Sequence, residues 1–261
     1  MADMFANATA YENMMGRWSK RLAPLFLDFA HIGDADRILD VGCGTGSLVQ
    51  IISDRLKRAH IVGIDPAQPS IDYSRARFSD SRITFDCGSA LKLPYADVSF
   101  AHALSLLVFQ FLTGPAVAAS EMRRVTRPGG TVAACTWPRT GFDMNDIFWE
   151  ECVRLDPRAD DRSQRLRQFN EEGQLAQLWR ATGLEGIEEV ALELRTDFTS
   201  FDDFWVPFTK GVGPQGLYVA SLAAEERDAL RDALRKRLVG DRDQPFSLRA
   251  KALAVRGIVP N

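Results

Sequence analysis

The stretch Ile38-Leu39-Asp40-Val41-Gly42-Cys43-Gly44-Thr45-Gly46 decides the fold. An apolar strand runs straight into glycines at alternate positions, 42, 44 and 46. A helical pattern follows, with Leu48, Ile51, Ile52 and Leu56 on one face. Glycines so spaced allow a tight strand-to-helix turn, with positive φ accessible and no Cβ between the backbone and a ligand. The pattern points to a nucleotide-type crevice at this turn and leaves the nucleotide open.

Outward from the loop, short apolar strands alternate with amphipathic helices. Strands are expected at 37–41, 60–65, 83–87, 100–107 and 131–137, and helices around 46–58, 69–78 and 115–126. Pro128-Gly129-Gly130 reads as a turn before the fifth strand. Such alternation argues a doubly wound, largely parallel sheet with ligands at the carboxyl ends of its strands. Beyond Trp137 the texture changes. Residues 138–168 are rich in charge, with Phe142, Phe148 and Trp149 among them. Residues 170–183 read as a helix with Asn170 as N-cap, a strand follows near 184–198, and a turn-rich aromatic insert spans 201–218. A helix at about 223–239 and a strand at 247–258 complete the chain. The expected division is an N-terminal helical lid over 1–30, a ligand-binding core over 31–137, and the rest of the sheet over 138–261 with a cap at about 199–240.

The bulk numbers exclude several classes. The 261 residues are 46% hydrophobic and 26% charged, with net charge −3, so no electrostatic footprint for nucleic acid is present. Cys43, Cys87, Cys135 and Cys152 are far apart, which points to reduced thiols rather than a disulfide framework or zinc site. His31, His60 and His102 lack ligand spacing, so no metal is expected. No apolar run reaches the roughly 18 residues of a membrane span. The N-terminal residues carry no basic-then-apolar secretory pattern. The expectation is a cytoplasmic protein.

The register of the glycines selects among nucleotides. A dinucleotide loop wants G-x-G-x-x-G, and here Ser47 stands where the third glycine of that fingerprint belongs. Asp65 ends the second strand at the distance of a ribose-binding carboxylate, whose two oxygens can accept both ribose hydroxyls. A loop that needs no phosphate, with a ribose carboxylate, fits a nucleoside carrying an amino-acid tail.

On these residues the chain resembles the class I S-adenosylmethionine-dependent methyltransferases, in particular the ubiquinone/menaquinone-biosynthesis-like (methyltransferase type 11) group. The likeness covers about residues 11 to 137. It rests on the glycine loop, on Gly63-Ile64-Asp65-Pro66, on Gly88-Ser89-Ala90 with Leu93-Pro94-Tyr95, and on Val125-Thr126-Arg127-Pro128-Gly129-Gly130-Thr131. It implies a seven-stranded Rossmann-like α/β sheet, mostly parallel with the last strand antiparallel, plus the lid and the cap. It implies S-adenosyl-L-methionine as cofactor and a small-molecule acceptor, apolar or aromatic if Phe201, Trp205, Phe208 and Tyr218 line its pocket. The cofactor-binding residues it implies are Gly42, Cys43, Gly44, Gly46, Asp65, Pro66, Ser89, Ala90, Leu91 and Leu106, with Arg17 and Tyr11 from the lid. Arg17 would pair with the carboxylate of the methionine moiety.

The sequence departs from the family at two points. Ser89 stands where an aspartate usually faces the adenine amino group. Phe100-Ala101 and Gln110 stand where an acid and a histidine often follow. Gln110 could orient an acceptor but cannot serve as a base. Asp40 reads either as a ligand contact or, preferably, as a support that accepts backbone N–H groups of the loop. The leading reading is methyl transfer by in-line displacement, with no catalytic residue nominated. Two rivals stay open: a non-catalytic sensor or scaffold that binds the same ligand, and a nicotinamide-dependent oxidoreductase.

Overall fold

The computed structural model describes residues 9, 12–34, 37–160 and 168–261. A wide helical turn, Glu12–Gly16, runs into α1 (Arg17–Ala30). Then come β1 (Arg37–Val41), α2 (Ser47–Arg55), β2 (His60–Asp65), α3 (Gln68–Arg77), β3 (Ile83–Cys87), β4 (Phe100–Leu106), α4 (Pro115–Val125) and β5 (Thr126–Thr136). The second half holds α5 (Asp143–Leu155), α6 (Gln174–Ala181), β6 (Glu185–Phe198), α7 (Phe201–Trp205), α8 (Gly213–Ala220), α9 (Ala224–Leu238) and β7 (Phe246–Ile258).

The strands form one seven-stranded sheet in the order β3-β2-β1-β4-β5-β7-β6. β1 to β5 are parallel, and β7 runs antiparallel to both β5 and β6. Burial explains the difference in sequence texture. β1, β2 and β4 are covered on both faces and read as continuous apolar runs, as strands inside a parallel sheet do. β6 is an edge strand, carrying Glu185, Glu188, Glu189, Glu193 and Arg195. Charge along an edge opposes pairing with another chain. The order reverses between β1 and β4, so the crevice of a doubly wound sheet opens outside the carboxyl ends of these strands.

Each face of the sheet has its own core. On one face α1 lays down Trp18, Leu22 and Phe26, with Leu48 and Ile52 of α2 and the cap aromatics beside them. On the other, Ala118, Ala119, Met122 and Val125 of α4 meet Leu175 and Trp179 of α6. The Trp179 indole donates to the Val132 carbonyl at 2.9 Å, which satisfies its polar end in the interior. Among the described residues no helix is long and apolar enough to cross a membrane.

Several expectations need correction. β5 begins at Thr126, so Pro128-Gly129-Gly130 lies within the strand at a register shift against β4 rather than in a turn ahead of it. The charged stretch after Trp137 contains α5, whose apolar face (Met144, Phe148, Trp149, Cys152) is buried. Asn170 does not cap α6: that helix starts at Gln174 after Gly173 (φ +86°), and the Asn170 carbonyl accepts the Arg139 N–H.

Candidate functional site

The glycine loop is shaped by contacts that its residues could not otherwise make. The N–H groups of Gly42 and Cys43 both donate to the Ile64 carbonyl, at 2.7 and 3.1 Å. Gly42 has φ +76°, and a Cβ there would stand 2.4 Å from the Val108 side chain, so neither conformation nor space allows another residue. Gly44 has φ +51° with open space where a Cβ would project. Asp65 holds the loop from β2. One carboxylate oxygen accepts the Gly44 N–H at 3.0 Å and the other the Ala67 N–H at 2.9 Å. Asp65 therefore has a structural task as well as a candidate ligand role, and each oxygen keeps acceptor capacity toward the crevice. Burial raises its pKa above the usual carboxylate range, and the two backbone donors pull the other way.

A cavity of about 230 Å³ opens beside this loop. Gly42, Gly44, Ile64, Asp65, Pro66, Ala67 and Ser70 form one side, and Gly88, Ser89, Ala90 and Leu91 another. Leu107, Val108, Phe111, Leu112 and Thr113 close it with an apolar wall. Seven of the residues nominated from sequence thus meet here: Gly42, Gly44, Asp65, Pro66, Ser89, Ala90 and Leu91. Ser89 is partly committed, because its hydroxyl accepts the Leu91 N–H at 3.1 Å.

The other nominated residues stand elsewhere. Cys43 is buried behind the loop, its sulfur near Gly63, and burial pushes its thiol pKa well above the ordinary value. Gly46 (φ +84°) starts α2 and faces Phe78. Leu106 packs into the sheet core, and Leu107 lines the cavity instead. The backbone turns there: Leu107 takes φ +64° while its N–H still pairs with the Cys135 carbonyl. Arg17 does not line the cavity. Its guanidinium grips Asp203 of α7 at 2.7 and 3.2 Å and lies over the Phe198 ring. Tyr11 lies outside the described residues.

Gln110 and the cap aromatics also have other work. Gln110 is buried and its amide oxygen accepts the Trp137 N–H at 3.0 Å, which ties the turn after β4 to the end of β5. Phe201, Trp205, Phe208 and Tyr218 are buried at 0–6% exposure and form the core of the cap. His102 lies within β4, where its Nδ1 accepts the Thr131 N–H.

The apolar wall from Val108 to Thr113 went unrecognised in the sequence. Its signal was the Leu-Val-Phe-Gln-Phe-Leu-Thr-Gly-Pro run between a strand and a helix, too apolar for a plain connecting loop.

Asp40 is a buried carboxyl displaced far from its ordinary electrostatics. It is 1% exposed, and neither carboxyl oxygen has a hydrogen-bond partner. The expected support through backbone N–H groups is not made. Desolvation, followed by the nearby Asp65 charge, pushes its pKa up to about 8. A buried carboxyl without a partner is costly unless something offsets it, and such groups cluster at functional sites.

Comparisons with known proteins agree with this geometry. Residues 39–134 match the family model described as a methyltransferase domain. Demethylmenaquinone methyltransferase of Roseiflexus sp. is 32% identical over 163 residues, covering 58% of this chain and 68% of that protein. Malonyl-[acyl-carrier protein] O-methyltransferase of Erwinia pyrifoliae is 29% identical over 160 residues, covering 60% of this chain and 58% of that protein. The chain spans between 28% and 68% of the length of such curated relatives. Among solved structures, Haemonchus contortus phosphoethanolamine N-methyltransferase 2 in complex with S-adenosyl-L-methionine superposes with a TM-score of 0.62 at 16% identity. The match covers 98% of this chain and 57% of that one, a likeness of fold. A glycine loop feeding a crevice at the sheet's switch point, together with these matches, makes the chain a member of the class I S-adenosylmethionine-dependent methyltransferases, in the type 11 group.

Proposed function

We propose that this protein transfers a methyl group from S-adenosylmethionine to a small-molecule acceptor. The observation that carries the reading is Asp65: a carboxylate at the end of β2 that shapes the glycine loop, lines the cavity and keeps acceptor capacity toward it. The residues present fit that donor. Gly42 and Gly44 let a ligand approach the backbone, Asp65 would take the ribose hydroxyls, and Ser89, Ala90 and Leu91 would border the base.

When bound, S-adenosylmethionine supplies an activated methyl group on a sulfonium, open to in-line displacement by an O, N or C atom of the acceptor. The protein's own part is to orient and to dry the site. Leu107, Val108, Phe111 and Leu112 exclude water beside the loop, and this apolar wall favours an apolar or aromatic acceptor. Among the described residues on the cavity wall, Asp65 is the one carboxylate, and it is engaged with the loop. The proposed chemistry therefore leans on positioning.

Calorimetric titration with S-adenosylmethionine, S-adenosylhomocysteine and NAD tests this. The adenosyl ligands should bind, and Asp65→Ala should weaken them by about 1–3 kcal/mol, the scale for a lost buried hydrogen-bonding partner. Binding of NAD alone would overturn the reading. A labelled methyl donor offered with a broad acceptor panel separates an enzyme from a sensor, because a sensor binds without turnover.

A further inference from the structure

The glycine loop has a second fastening, and it comes from the N-terminal turn. Thr45, inside the loop and 2% exposed, donates its hydroxyl to a Glu12 carboxylate oxygen at 2.5 Å. The other Glu12 oxygen takes the Lys20 ammonium at 2.5 Å. The turn that carries Glu12 is built around this carboxylate. A Cβ on Gly16 would stand 2.8 Å from one Glu12 oxygen and 2.9 Å from the carboxyl carbon. Gly16 itself has ordinary right-handed backbone (φ −57°). Nothing in the backbone demands a glycine there, and a side chain at 16 would push the Glu12 carboxylate aside.

Hydrogen bonds to an ionised acceptor are the stronger kind, and this one joins residues 33 positions apart. The loop is held from the opposite side by α3. Ser74 donates its hydroxyl to the Gly44 carbonyl at 3.1 Å, and Arg77 donates to the Thr45 carbonyl at 3.3 Å. Glu12 belongs to a turn continuous with α1, which is anchored in the core by Trp18 and Leu22. Shape passes from the sheet core, through Glu12, to the loop that faces the cavity.

We propose that Glu12 is a positioning residue for the methyl donor: its grip on Thr45 holds the glycine loop in the shape that accepts the donor. This rests on the donor reading above. The glycine spacing alone gives no hint of it, because Glu12 lies outside the motif.

The test is calorimetric titration of S-adenosylhomocysteine into the full chain, as wild type, Glu12→Ala, Thr45→Val, the double variant and Gly16→Ala. Amide hydrogen exchange of residues 42–47 without ligand accompanies it. Each single variant at the bond should weaken binding roughly tenfold, the scale of a charge-assisted hydrogen bond. The double variant should be no weaker than the worse single, since both remove the same bond. Gly16→Ala displaces the carboxylate without removing it, so affinity should fall while Tm holds or rises, because alanine favours the helix. Exchange at 42–47 should quicken in Glu12→Ala.

Variants that bind within twofold of wild type, additive losses in the double variant, or a neutral Gly16→Ala would overturn the role. A wild type that binds no S-adenosylhomocysteine would overturn the donor reading itself. The exchange data would then still decide whether Glu12 holds the loop.

Discussion

The two halves of this molecule are built on opposite terms. Around β1 to β4 the chain leaves space: glycines replace side chains at the loop, and a carboxyl is buried without a partner. Around α1, α5 and the cap it fills space with rings. Trp137 stacks on Phe142 at 4.1 Å, Trp18 meets Phe142 edge-on at 4.7 Å, and Phe148 lies 4.9 Å from Phe208. The open half presents backbone and a carboxylate to a cavity, and the closed half packs aromatic rings. The comparison teaches that a site fastened by its own short contacts can stand beside a core that is packed for stability.

The contrast can be broken at three strengths. The largest effect is expected at Trp18, which is fully buried where α1 meets the rings around Phe142. Trp18→Ala should cost about 3–5 kcal/mol of stability in urea unfolding, the range for an aromatic truncation in a core. A loss below 1 kcal/mol would mean that the closed half is not what confers stability.

Next is a pH dependence set by Asp40. Its carboxyl has an ordinary pKa of 3.8 when exposed and about 8 in the folded protein. Between these values the folded state keeps a proton that the unfolded state has released. Ligand-free stability from this group is therefore full below about pH 4, falls as pH rises toward 8, and is level beyond. The slope is at most about 1.4 kcal/mol per pH unit. Denaturant melts at several pH values should show this fall in the wild type, and Asp40→Asn should flatten it. Equal slopes in the two proteins would remove Asp40 as its source.

The smallest effect lies inside the closed half, on the seam between α1 and the cap. Arg17 and Asp203 are about a quarter exposed, and a pair of that kind contributes about 1 kcal/mol or less. A double-mutant cycle on Arg17→Ala and Asp203→Ala should return a coupling of that size. It should shrink with added salt, and a coupling of several kcal/mol would make the seam a structural joint in its own right.

The donor half was legible in the sequence because its rules are local. A strand end, three spaced glycines and an acid on the next strand suffice, and β1, β2 and β3 stand where their apolar runs predict. The failures share a cause, which is dependence on a partner far along the chain. Arg17 reads as a ligand residue until Asp203, 186 positions away, takes its guanidinium. The cap aromatics read equally as pocket or core, and only packing separates the two. Leu107 turns to the cavity wall through a left-handed backbone, which no periodicity announces, and Leu106 does not line it. Glu12 escaped notice because its partner is a threonine on another element.

The position of β7 has a consequence for how the chain can be made. β6 reaches the sheet through β7, which follows it by three helices in sequence and lies between it and β5. While the ribosome has released the chain only through α9, β1 to β5 can assemble as a parallel sheet, yet β6 has no neighbour to join. One edge of β5 stays open until residues 246–258 emerge. Their arrival brings in two strands at once. A stop codon just before β7 would thus remove the strand that joins β6 to β5, leaving the charged border without its partner and β5 with an unpaired edge.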